Sequence, residues 1–313
     1  MPLEINEFAE YEIQDKAEES SSSSGFLLTS GDIDIFKLLY KFRFLRREHL
    51  SVLTGRSLKK MHGRLFKLVN AGYLTTIRLP QQKHIYGLAK RAQSVLVEQG
   101  SDNPELLSER VRIHELKELF LKHEMMIVDF HVILSLATRG SPFRLVDWRE
   151  GTELFDSVFF TDHSGLTRLA VRPDAFFILE DSRRPEGQNR TPVFLEADRS
   201  SANHTRFKDK IRGYWHYLAQ GLHTIKYGIE HFRVLTMTVS DARAQNLSTL
   251  ASSTLPAQAR KYFFFAAQSN VSLSDPTPIL GEIYFSARSA ETHERHSLIP
   301  PLKQPLQNEL PGV

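Results

Sequence analysis

The stretch from 172 to 198 constrains the fold of this chain most, because it contains two short strand-like runs that carry acidic residues at their ends. The runs DAFFILE (174–180) and PVFLEAD (192–198) are rich in apolar residues, and a segment of Ser, Arg, Pro, Gly, Gln and Asn separates them. Apolar runs on either side of a turn-forming segment predict an antiparallel β-hairpin.

Three carboxylates come together at one end of this predicted hairpin. If the connection folds about its middle, near Pro185-Glu186-Gly187, Asp174 lies opposite Asp198 and Glu196 lies diagonally across. Glu196 and Asp198 are two residues apart on one strand, so their side chains share a face. Like charges at such distances repel by on the order of a few kcal/mol at a protein surface.

A bound divalent cation would offset this repulsion. Oxygen ligands suit Mg²⁺ or Mn²⁺, so Asp174, Glu196 and Asp198 are the candidate metal ligands and the first candidate catalytic residues. The alternative is that these are solvated strand ends, with Glu196 or Asp198 paired to Arg172 or Arg199. The strand pattern alone leaves both interpretations open.

Composition limits what such a site can be. The chain has 313 residues, 41% of them hydrophobic, which is enough for two domains with proper cores. It contains no cysteine, so disulfides, thiolate metal sites and cysteine nucleophiles are excluded. Neither a long apolar run nor the pattern of a signal peptide is present, which predicts a soluble, cytoplasmic protein with no membrane partner.

The basic residues are concentrated in one block. Residues 41–93 carry thirteen lysines and arginines and a single acid, Glu48, whereas residues 1–40 carry nine acids and two bases. Such a block is the electrostatic footprint of a polyanion-binding surface, and double-stranded DNA is the predicted partner.

The N-terminal part has the pattern of a DNA-binding domain after a tail. Residues 1–25 are acidic and Ser-rich, which predicts disorder. Residues 26–100 then read as helix, helix, turn, helix, a hairpin around Pro80-Gln81-Gln82, and a further helix. A helix-turn-helix followed by a hairpin is the order of a winged helix.

The third helix of this domain indicates how DNA would be bound. Its apolar stripe is Leu58, Met61, Leu65 and Leu68, and basic residues cluster on the opposite side. A basic face of this kind can enter a major groove, with the hairpin reaching the backbone or minor groove beside it. The alternative is a solvated basic face on a domain that binds a protein. The predicted DNA-binding residues are Arg56, Lys59, Lys60, Arg64 and Lys67 of the helix and Arg78, Lys83 and His84 of the hairpin.

The second domain is predicted over 108–285, with a Pro-rich tail at 296–313. It begins with a long helix, roughly 110–138, which carries Glu124 and His131 on or beside its apolar side. These two residues are either satisfied core groups or further catalytic residues that face the carboxylates. The elements that follow are extended stretches near 143–149 and 156–171, the acidic hairpin, helices near 203–220 and 241–252, and strands near 231–239 and 261–268.

This order of elements carries a resemblance. RPDAFFIL on one strand, PVFLEADRSS on the next and KDKIRGYWHYL on the following helix resemble the core of PD-(D/E)XK nucleases. Placed after a winged helix, they resemble the replication-relaxation family of plasmid and mobile-element proteins, which is related to C-type mobilisation relaxases. The resemblance covers roughly residues 28–285.

The resemblance implies metal-dependent cleavage of DNA with Asp174 and Glu196 as ligands. The Lys that the nuclease pattern has two residues after Glu196 is replaced here by Asp198, which supplies no positive charge. Lys210 on the following helix is the candidate replacement. Arg199, Arg206 and Tyr217 are the candidate phosphate-positioning residues.

The predicted fold class is therefore a two-domain α+β or α/β protein, with an N-terminal winged helix-turn-helix and a PD-(D/E)XK nuclease-like domain built on a mixed central sheet. The predicted function is a metal-dependent DNA nickase or relaxase of plasmid replication or mobilisation, with Mg or Mn as cofactor. The alternative is a catalytically inactive, nuclease-like DNA-binding regulator of transcription or replication. A homodimer and other plasmid or mobile-element proteins are further candidate partners.

Overall fold

The fold is described from a computed structural model of the chain, over residues 26–77, 84–100, 118–162, 165–199 and 204–299. The predicted tail at 1–25 and the tip of the predicted wing lie outside these ranges. No helix within them combines the length and the apolar character that crossing a bilayer requires.

The N-terminal part alternates helices with a small sheet. Thr29 and Asp32 form a capping box at the start of the first helix, and Ser57 caps the third helix by accepting a hydrogen bond from the amide of Lys60. The strands pair antiparallel in the order β1-β3-β2. The elements are α1 (Ser30–Phe42), β1 (Leu45–Arg46), α2 (Arg47–Thr54), α3 (Leu58–Asn70), β2 (Leu74–Ile77), β3 (Ile85–Leu88) and α4 (Lys90–Glu98).

The packing of α3 follows its predicted apolar stripe with one exception. Met61, Leu65 and Leu68 are fully buried in the N-terminal core, as the stripe predicts. Leu58 was predicted to pack with them, but 46% of it is exposed because it occupies the first turn, beside the capping residue Ser57. The stripe that packs is therefore two turns long.

The long helix α5 (Glu118–Ala137) is shared between two cores. Leu121, Met125, Val128 and Val132 pack with the N-terminal helices. Other apolar residues of α5, among them Phe130, pack against the central sheet. Because α5 is buried on two sides, most of its residues are apolar.

The C-terminal part is built on a seven-stranded mixed sheet with the order β12-β11-β10-β9-β8-β7-β4. Strands β8, β9 and β10 run parallel to one another, and the remaining pairs are antiparallel. The strands are β4 (Phe143–Arg149), β7 (Ala175–Asp181), β8 (Arg190–Asp198), β9 (Arg233–Thr238), β10 (Phe263–Ala267), β11 (Glu282–Ser286) and β12 (Arg295–Ser297).

Two strands stand apart from this sheet. β5 (Asp156–Asp162) and β6 (Gly165–Val171) pair antiparallel with each other and form their own hairpin. This hairpin packs on α6 (His204–Ala219), which is followed by α7 (Leu222–Tyr227) and later by α8 (Asp241–Thr254).

Alternation along the strands divides the sheet into two faces. Phe177, Val193 and Leu195 point toward α5. Phe176 and Phe194 point toward α6, α8 and the β5–β6 hairpin. The sheet is thus a middle layer between helices, and Glu196 and Asp198, which share the parity of Phe194, face the layer of α6 and α8.

The predicted mixed α+β architecture with a mixed central sheet is confirmed, with eight α-helices in the described part of the chain. The sheet also extends past the predicted domain end at 285. Strand β12 closes it at Ser297, and Leu298 and Ile299, within the predicted Pro-rich tail, are buried in its core.

Candidate functional site

The acidic hairpin is present, but its register differs from the prediction. β7 pairs with β8 so that Ala175 lies opposite Leu195. This register is shifted by two residues, so its extension places Asp174 across from Glu196 and not from Asp198. A shift of two preserves the face to which each side chain points, so the carboxylates of Asp174 and Glu196 stay neighbours.

Glu196 is the most deeply buried carboxylate of the cluster. Its side chain is 3% exposed, Oε2 accepts a hydrogen bond from Nζ of Lys210, and Oε1 accepts one from the hydroxyl of Tyr214 at 2.5 Å. Burial raises the pKa of Glu196 to about 7, and the charge of Asp174 adds to this effect while Lys210 opposes it. Near neutral pH this carboxyl group is therefore poised to exchange a proton.

Lys210 lies on α6, where the helical stripe predicted it beside the hairpin. Its ammonium group reaches Glu196 from the helix side, while the residue as a whole remains exposed. Burial of the ammonium group alone would lower the pKa of Lys210, but the charges of Glu196 and Asp174 outweigh it and raise the pKa. Lys210 is therefore a fixed positive charge at the cluster.

Asp174 has partners from two other elements. Its Oδ1 lies 3.1 Å from Nε2 of His123 on α5, and its Oδ2 accepts a hydrogen bond from the amide of Ala197 at 2.7 Å. Burial alone would raise the pKa of Asp174, but the hydrogen bond and charge of His123 and the charge of Lys210 hold it below its ordinary value. His123 in turn has a raised pKa, because its bond to Asp174 outweighs its burial.

Asp198 shares the strand face of Glu196 but is bound by a residue of a different helix. Its Oδ2 accepts hydrogen bonds from Nε of Arg243 at 2.9 Å and from the hydroxyl of Thr238 at 3.4 Å. Arg243 lies on α8, so Asp198 joins the end of β8 to that helix. The predicted ion pair with Arg172 or Arg199 is replaced by this contact.

The two candidates on α5 lie in different surroundings. Glu124 pairs with Arg43 at 3.2 Å, and burial raises its pKa although Arg43 opposes the effect. His131 is 2% exposed and stacks on Trp148 with ring centroids 3.7 Å apart, beside Phe42 at 4.4 Å. These are the contacts of packed interior residues, and the structure brings His123 to the carboxylates instead.

The three predicted phosphate-positioning residues have different surroundings and do not form one group. Tyr217 is buried and donates its hydroxyl to Asp156 on β5 at 3.1 Å, so it supports the β5–β6 hairpin. Arg199 donates to the carbonyl of Lys122 at 3.3 Å, and Arg206 is exposed at the start of α6. Of these three, Arg206 has the position most open to a ligand.

Sequence reasoning missed three partners of the cluster. Tyr214 follows Lys210 by one helical turn in KDKIRGYWHYL, so the (i, i+4) spacing was a usable signal. His123 lies on the predicted apolar stripe of the long helix, next to the chosen Glu124. Arg243 carries no local signal, because only the tertiary fold brings α8 to the end of β8.

The donor set fits a metal held by two carboxylates more closely than one held by three. Among the described residues no group of three or more His, Asp or Glu side chains is arranged to hold a metal ion. Mg²⁺ commonly uses one or two carboxylates, and water and substrate phosphates complete its shell. Asp174 and Glu196 meet that requirement, and a cation beside them would relieve the repulsion from Asp174 that adds to the effect of burial on the pKa of Glu196. Asp198 is occupied by Arg243.

The predicted DNA-binding residues divide into exposed and structural groups. Lys59, Lys60 and Lys67 are exposed along α3. Arg64 instead binds the fully buried Asp32, with Nε 2.6 Å from Oδ1, and donates to the carbonyl of Leu27 at 3.0 Å.

The other predicted DNA-binding residues lie against the start of α1, on the hairpin or outside the described residues. The guanidinium group of Arg56 lies against Gly31, at the start of α1. His84 is exposed, with Nδ1 3.3 Å from the hydroxyl of Thr76. Arg78 and Lys83 lie outside the described residues.

One apolar residue interrupts the basic surface of α3. Phe66 is 61% exposed, and Gly63, one turn earlier, has no atom within 4 Å of the place where a Cβ would be. Residues three apart lie on one helix face. The exposed face of α3 thus combines a large apolar side chain, an open backbone position and three lysines.

A polar contact joins this basic domain to α5. Asp129 accepts hydrogen bonds from the guanidinium of Arg46 at 3.0 and 3.2 Å, and Nε2 of the buried His49 lies 2.9 Å from its Oδ1. Gln268, which follows β10, donates to the same carboxylate at 2.9 Å. The helix that supplies His123 to the cluster is therefore fixed through Asp129 to β1, to α2 and to the end of β10.

Comparison with known proteins gives one match. A family model described as Replication-relaxation matches residues 36–231, which is more than half of the 313 residues. The matched range includes α3, Asp174, Glu196 and Lys210. No curated protein and no solved structure matches the chain.

Proposed function

Since the chain belongs to the replication-relaxation family, we propose that it binds double-stranded DNA through α3 and nicks one strand at the cluster of Asp174, Glu196 and Lys210. The family match supports a role in replication or mobilisation. DNA binding and strand cleavage are our inferences from the residues, and they have separate experimental tests.

The element order supports DNA binding by the N-terminal domain. The sequence α1, β1, α2, α3, β2, β3, with a three-stranded antiparallel sheet, is the order of a winged helix. In that arrangement α3 is the recognition helix, and its exposed side carries Lys59, Lys60 and Lys67. Arg64 is left out of the proposed surface because it is committed to Asp32.

The observation that carries the cleavage proposal is the contact of Lys210 with Glu196. A nuclease centre of the PD-(D/E)XK kind needs two carboxylates on adjacent strands and one positive charge beside them. Here Asp174 and Glu196 supply the carboxylates, and the positive charge comes from the next helix although position 198 is acidic. The three charges thus have the composition of such a centre.

In the proposed reaction Lys210 binds the scissile phosphate and stabilises the negative charge that develops on it. Glu196, with a pKa of about 7, takes up or releases a proton near the attacking water. Asp174, held by His123 and the amide of Ala197, keeps its negative charge. Mg²⁺ or Mn²⁺, when held by Asp174 and Glu196, would lower the pKa of a bound water and neutralise phosphate charge.

The pairing of every carboxylate favours a second candidate, a DNA-binding regulator that does not cleave. Asp174 is paired with His123, Glu196 with Lys210, and Asp198 with Arg243. In this alternative the pairs replace a metal and hold the sheet end together. The two candidates share the DNA-binding surface and differ in the chemistry of the cluster.

Nicking of supercoiled plasmid separates the two candidates. Cleavage is expected with Mg²⁺ or Mn²⁺ and not with a chelator, and Asp174→Asn and Glu196→Gln should each abolish it while duplex binding is retained. Glu180→Gln is a matched control, because Glu180 lies at the other end of the same hairpin and pairs with Arg144 and Arg190. Wild-type protein that binds duplex but never nicks would establish the regulator.

Thermal denaturation adds a readout that does not depend on cleavage. A metal that binds only the folded protein raises the melting temperature by mass action. The wild type and Glu180→Gln should respond to Mn²⁺, and Asp174→Asn and Glu196→Gln should not. An equal response in all four proteins would place metal binding away from the cluster.

A further inference from the structure

The β5–β6 hairpin has a solvent-facing side with an unusual composition. Alternation turns Val158 and Phe160 inward, where Phe160 stacks on His216 of α6 with centroids 3.7 Å apart. The outward positions include Phe159, which is 53% exposed, and Phe155, just before β5, which is 42% exposed. Large aromatic side chains exposed at regular spacing on a small hairpin need an explanation beyond folding.

Each exposed ring is paired with an arginine on the other strand. Phe159 lies opposite Arg168 in the register, and the guanidinium carbon lies 5.6 Å from the ring centroid. Extending the register places Phe155 opposite Arg172, where the corresponding distance is 5.5 Å. The two phenylalanines are four residues apart on one strand, or about 13 Å. The face is therefore a ladder of two aromatic–arginine pairs.

The ladder leads to the carboxylate cluster. Arg172 is separated from Asp174 by Pro173 alone, so the base of the hairpin adjoins the start of β7. The hairpin is also fixed to the helix that carries Lys210. A Cβ at Gly213 of α6 would lie 3.3 Å from the carbonyl oxygen of Ala170, so glycine permits this close contact of helix and hairpin.

The chemistry of this face fits a single nucleic-acid strand. Unstacked bases bind to aromatic rings without sequence preference, and arginines beside the rings bind phosphates or stack on bases. The outward positions of β5 and β6 carry Arg168 and no acidic residue, and Arg172 follows directly after β6. An exposed apolar residue, Leu166, lies on the same face and is 77% exposed, which is the feature that a protein-binding surface would share.

We propose that the outward face of the β5–β6 hairpin binds single-stranded DNA, with bases on Phe155 and Phe159 and phosphates on Arg168 and Arg172. The inference deepens the proposed function, because a strand released at Asp174, Glu196 and Lys210 would lie next to the base of the ladder. The face would hold that strand after cleavage or keep it apart from its complement.

Fluorescence anisotropy with a short labelled oligothymidylate and a labelled duplex tests the proposal. Phe155→Leu with Phe159→Leu keeps apolar bulk and removes both rings, so single-strand binding should weaken by about 10-fold or more. Phe159→Trp keeps a ring and should bind at least as tightly as the wild type. Leu166→Ala is the matched control on the same face and should leave single-strand affinity unchanged.

Duplex binding should remain unchanged in the double leucine variant, because α3 lies in another domain. Lys59→Ala with Lys60→Ala should instead weaken duplex binding and leave single-strand binding unchanged. Unchanged single-strand affinity in the double leucine variant would overturn the proposal. A loss of single-strand affinity only in Leu166→Ala would also overturn it, because the two rings would then not bind the bases. Circular dichroism excludes misfolding of each variant.

The outcome is independent of cleavage. If the wild type never nicks plasmid but its single-strand binding requires the two rings, the cleavage proposal fails and the hairpin proposal stands.

Discussion

Nζ of Lys210 donates a hydrogen bond to Oε2 of Glu196 from a residue fourteen positions further along the chain, on α6 and not on β8. A lysine on β8 two residues after Glu196 would approach the same carboxylate from its own strand. In this chain position 198 holds an aspartate, whose Oδ2 is bound by Arg243. The positive charge beside the two carboxylates therefore depends on the packing of a helix.

If this charge positions the phosphate, Lys210→Ala should reduce plasmid nicking by about 100-fold or more, the usual effect of removing a transition-state donor. Duplex affinity should be unchanged, because the proposed duplex-binding surface lies on α3. Lys210→Arg should recover part of the activity, since it restores a cation. The measurement is the single-turnover nicking rate with the protein in excess.

Lys208→Ala is the control for the Lys210 variants, because Lys208 is exposed on the same helix. It should nick at the wild-type rate. If Lys210→Ala also nicks at that rate, Lys210 only neutralises Glu196, and Arg206 becomes the next candidate for the phosphate. In either case the wild-type protein should nick plasmid without a lysine at position 198, so Asp198→Lys should not be required for activity.

The raised pKa of Glu196 predicts a defined dependence of stability on pH. The folded protein binds this proton more tightly than the unfolded chain, because its pKa is about 7 when folded and 4.5 ordinarily. The resulting stabilisation is fully present below about pH 4.5 and is lost as pH rises through about 7. The loss is at most about 3 kcal/mol in the free energy of unfolding.

Glu196→Gln isolates this contribution, since glutamine has the same size and does not titrate, although its amide oxygen accepts only one of the two hydrogen bonds from Lys210 and Tyr214. The stability of the variant relative to the wild type should rise between pH 5 and about pH 8, as urea denaturation at several pH values would measure. His123 and Asp174 titrate in both proteins and cancel in the difference. A difference that is constant with pH would contradict the assigned pKa of Glu196.

Local patterns predicted much of this architecture. The apolar runs gave the two acidic strands, and the helical stripe of KDKIRGYWHYL placed Lys210 beside them, because strand alternation and helical periodicity depend on neighbouring residues only. The register failed by two residues. The prediction centred the connection on Glu186. In the structure the amide of Asp181 donates to the carbonyl of Asn189, so the loop is centred on Pro185 and β8 begins its pairing two residues earlier than predicted.

The partners of the cluster were harder to predict, because most of them are far apart in sequence. Asp198 and Arg243 are 45 residues apart, and the pairing of Arg64 with Asp32 spans 32 residues. A helical wheel places Arg64 on the basic side of α3 without indicating that a buried carboxylate of α1 lies beside it. The pairing with Asp32 separates Arg64 from the exposed lysines of the proposed DNA-binding surface.

Arg64→Ala should therefore destabilise the fold. Asp32 is fully buried and would keep its bonds to Thr29 but lose the guanidinium group of Arg64, which costs about 2 kcal/mol in the free energy of unfolding. Lys60→Ala should change stability by less than about 0.5 kcal/mol, as exposed substitutions usually do. Urea denaturation compares the two variants, and equal stability of both would show that the Arg64 pair contributes nothing.

The exposed face of α3 leads to a last prediction, on sequence specificity. Lysines bind phosphates and add affinity for every duplex, whereas an apolar side chain in the major groove can contact a thymine methyl group. Phe66, beside the open backbone of Gly63, is the residue placed for such a contact. A preferred duplex selected from a random library should lose about 10-fold in affinity with Phe66→Ala, and a scrambled duplex should lose little.

Lys60→Ala is the matched comparison, since it should weaken both duplexes alike and reduce the salt dependence by about one unit. Gly63→Ala should stabilise the helix by up to about 1 kcal/mol, because its Cβ meets no neighbour and alanine favours helix. If α3 approaches the groove closely at this position, the same variant should bind duplex more weakly despite its greater stability. Two results together would contradict this prediction. Gly63→Ala would fold more stably and bind duplex as the wild type does, and Phe66→Ala would keep the same ratio of affinities for the preferred and the scrambled duplex. Base recognition would then lie in another part of the domain.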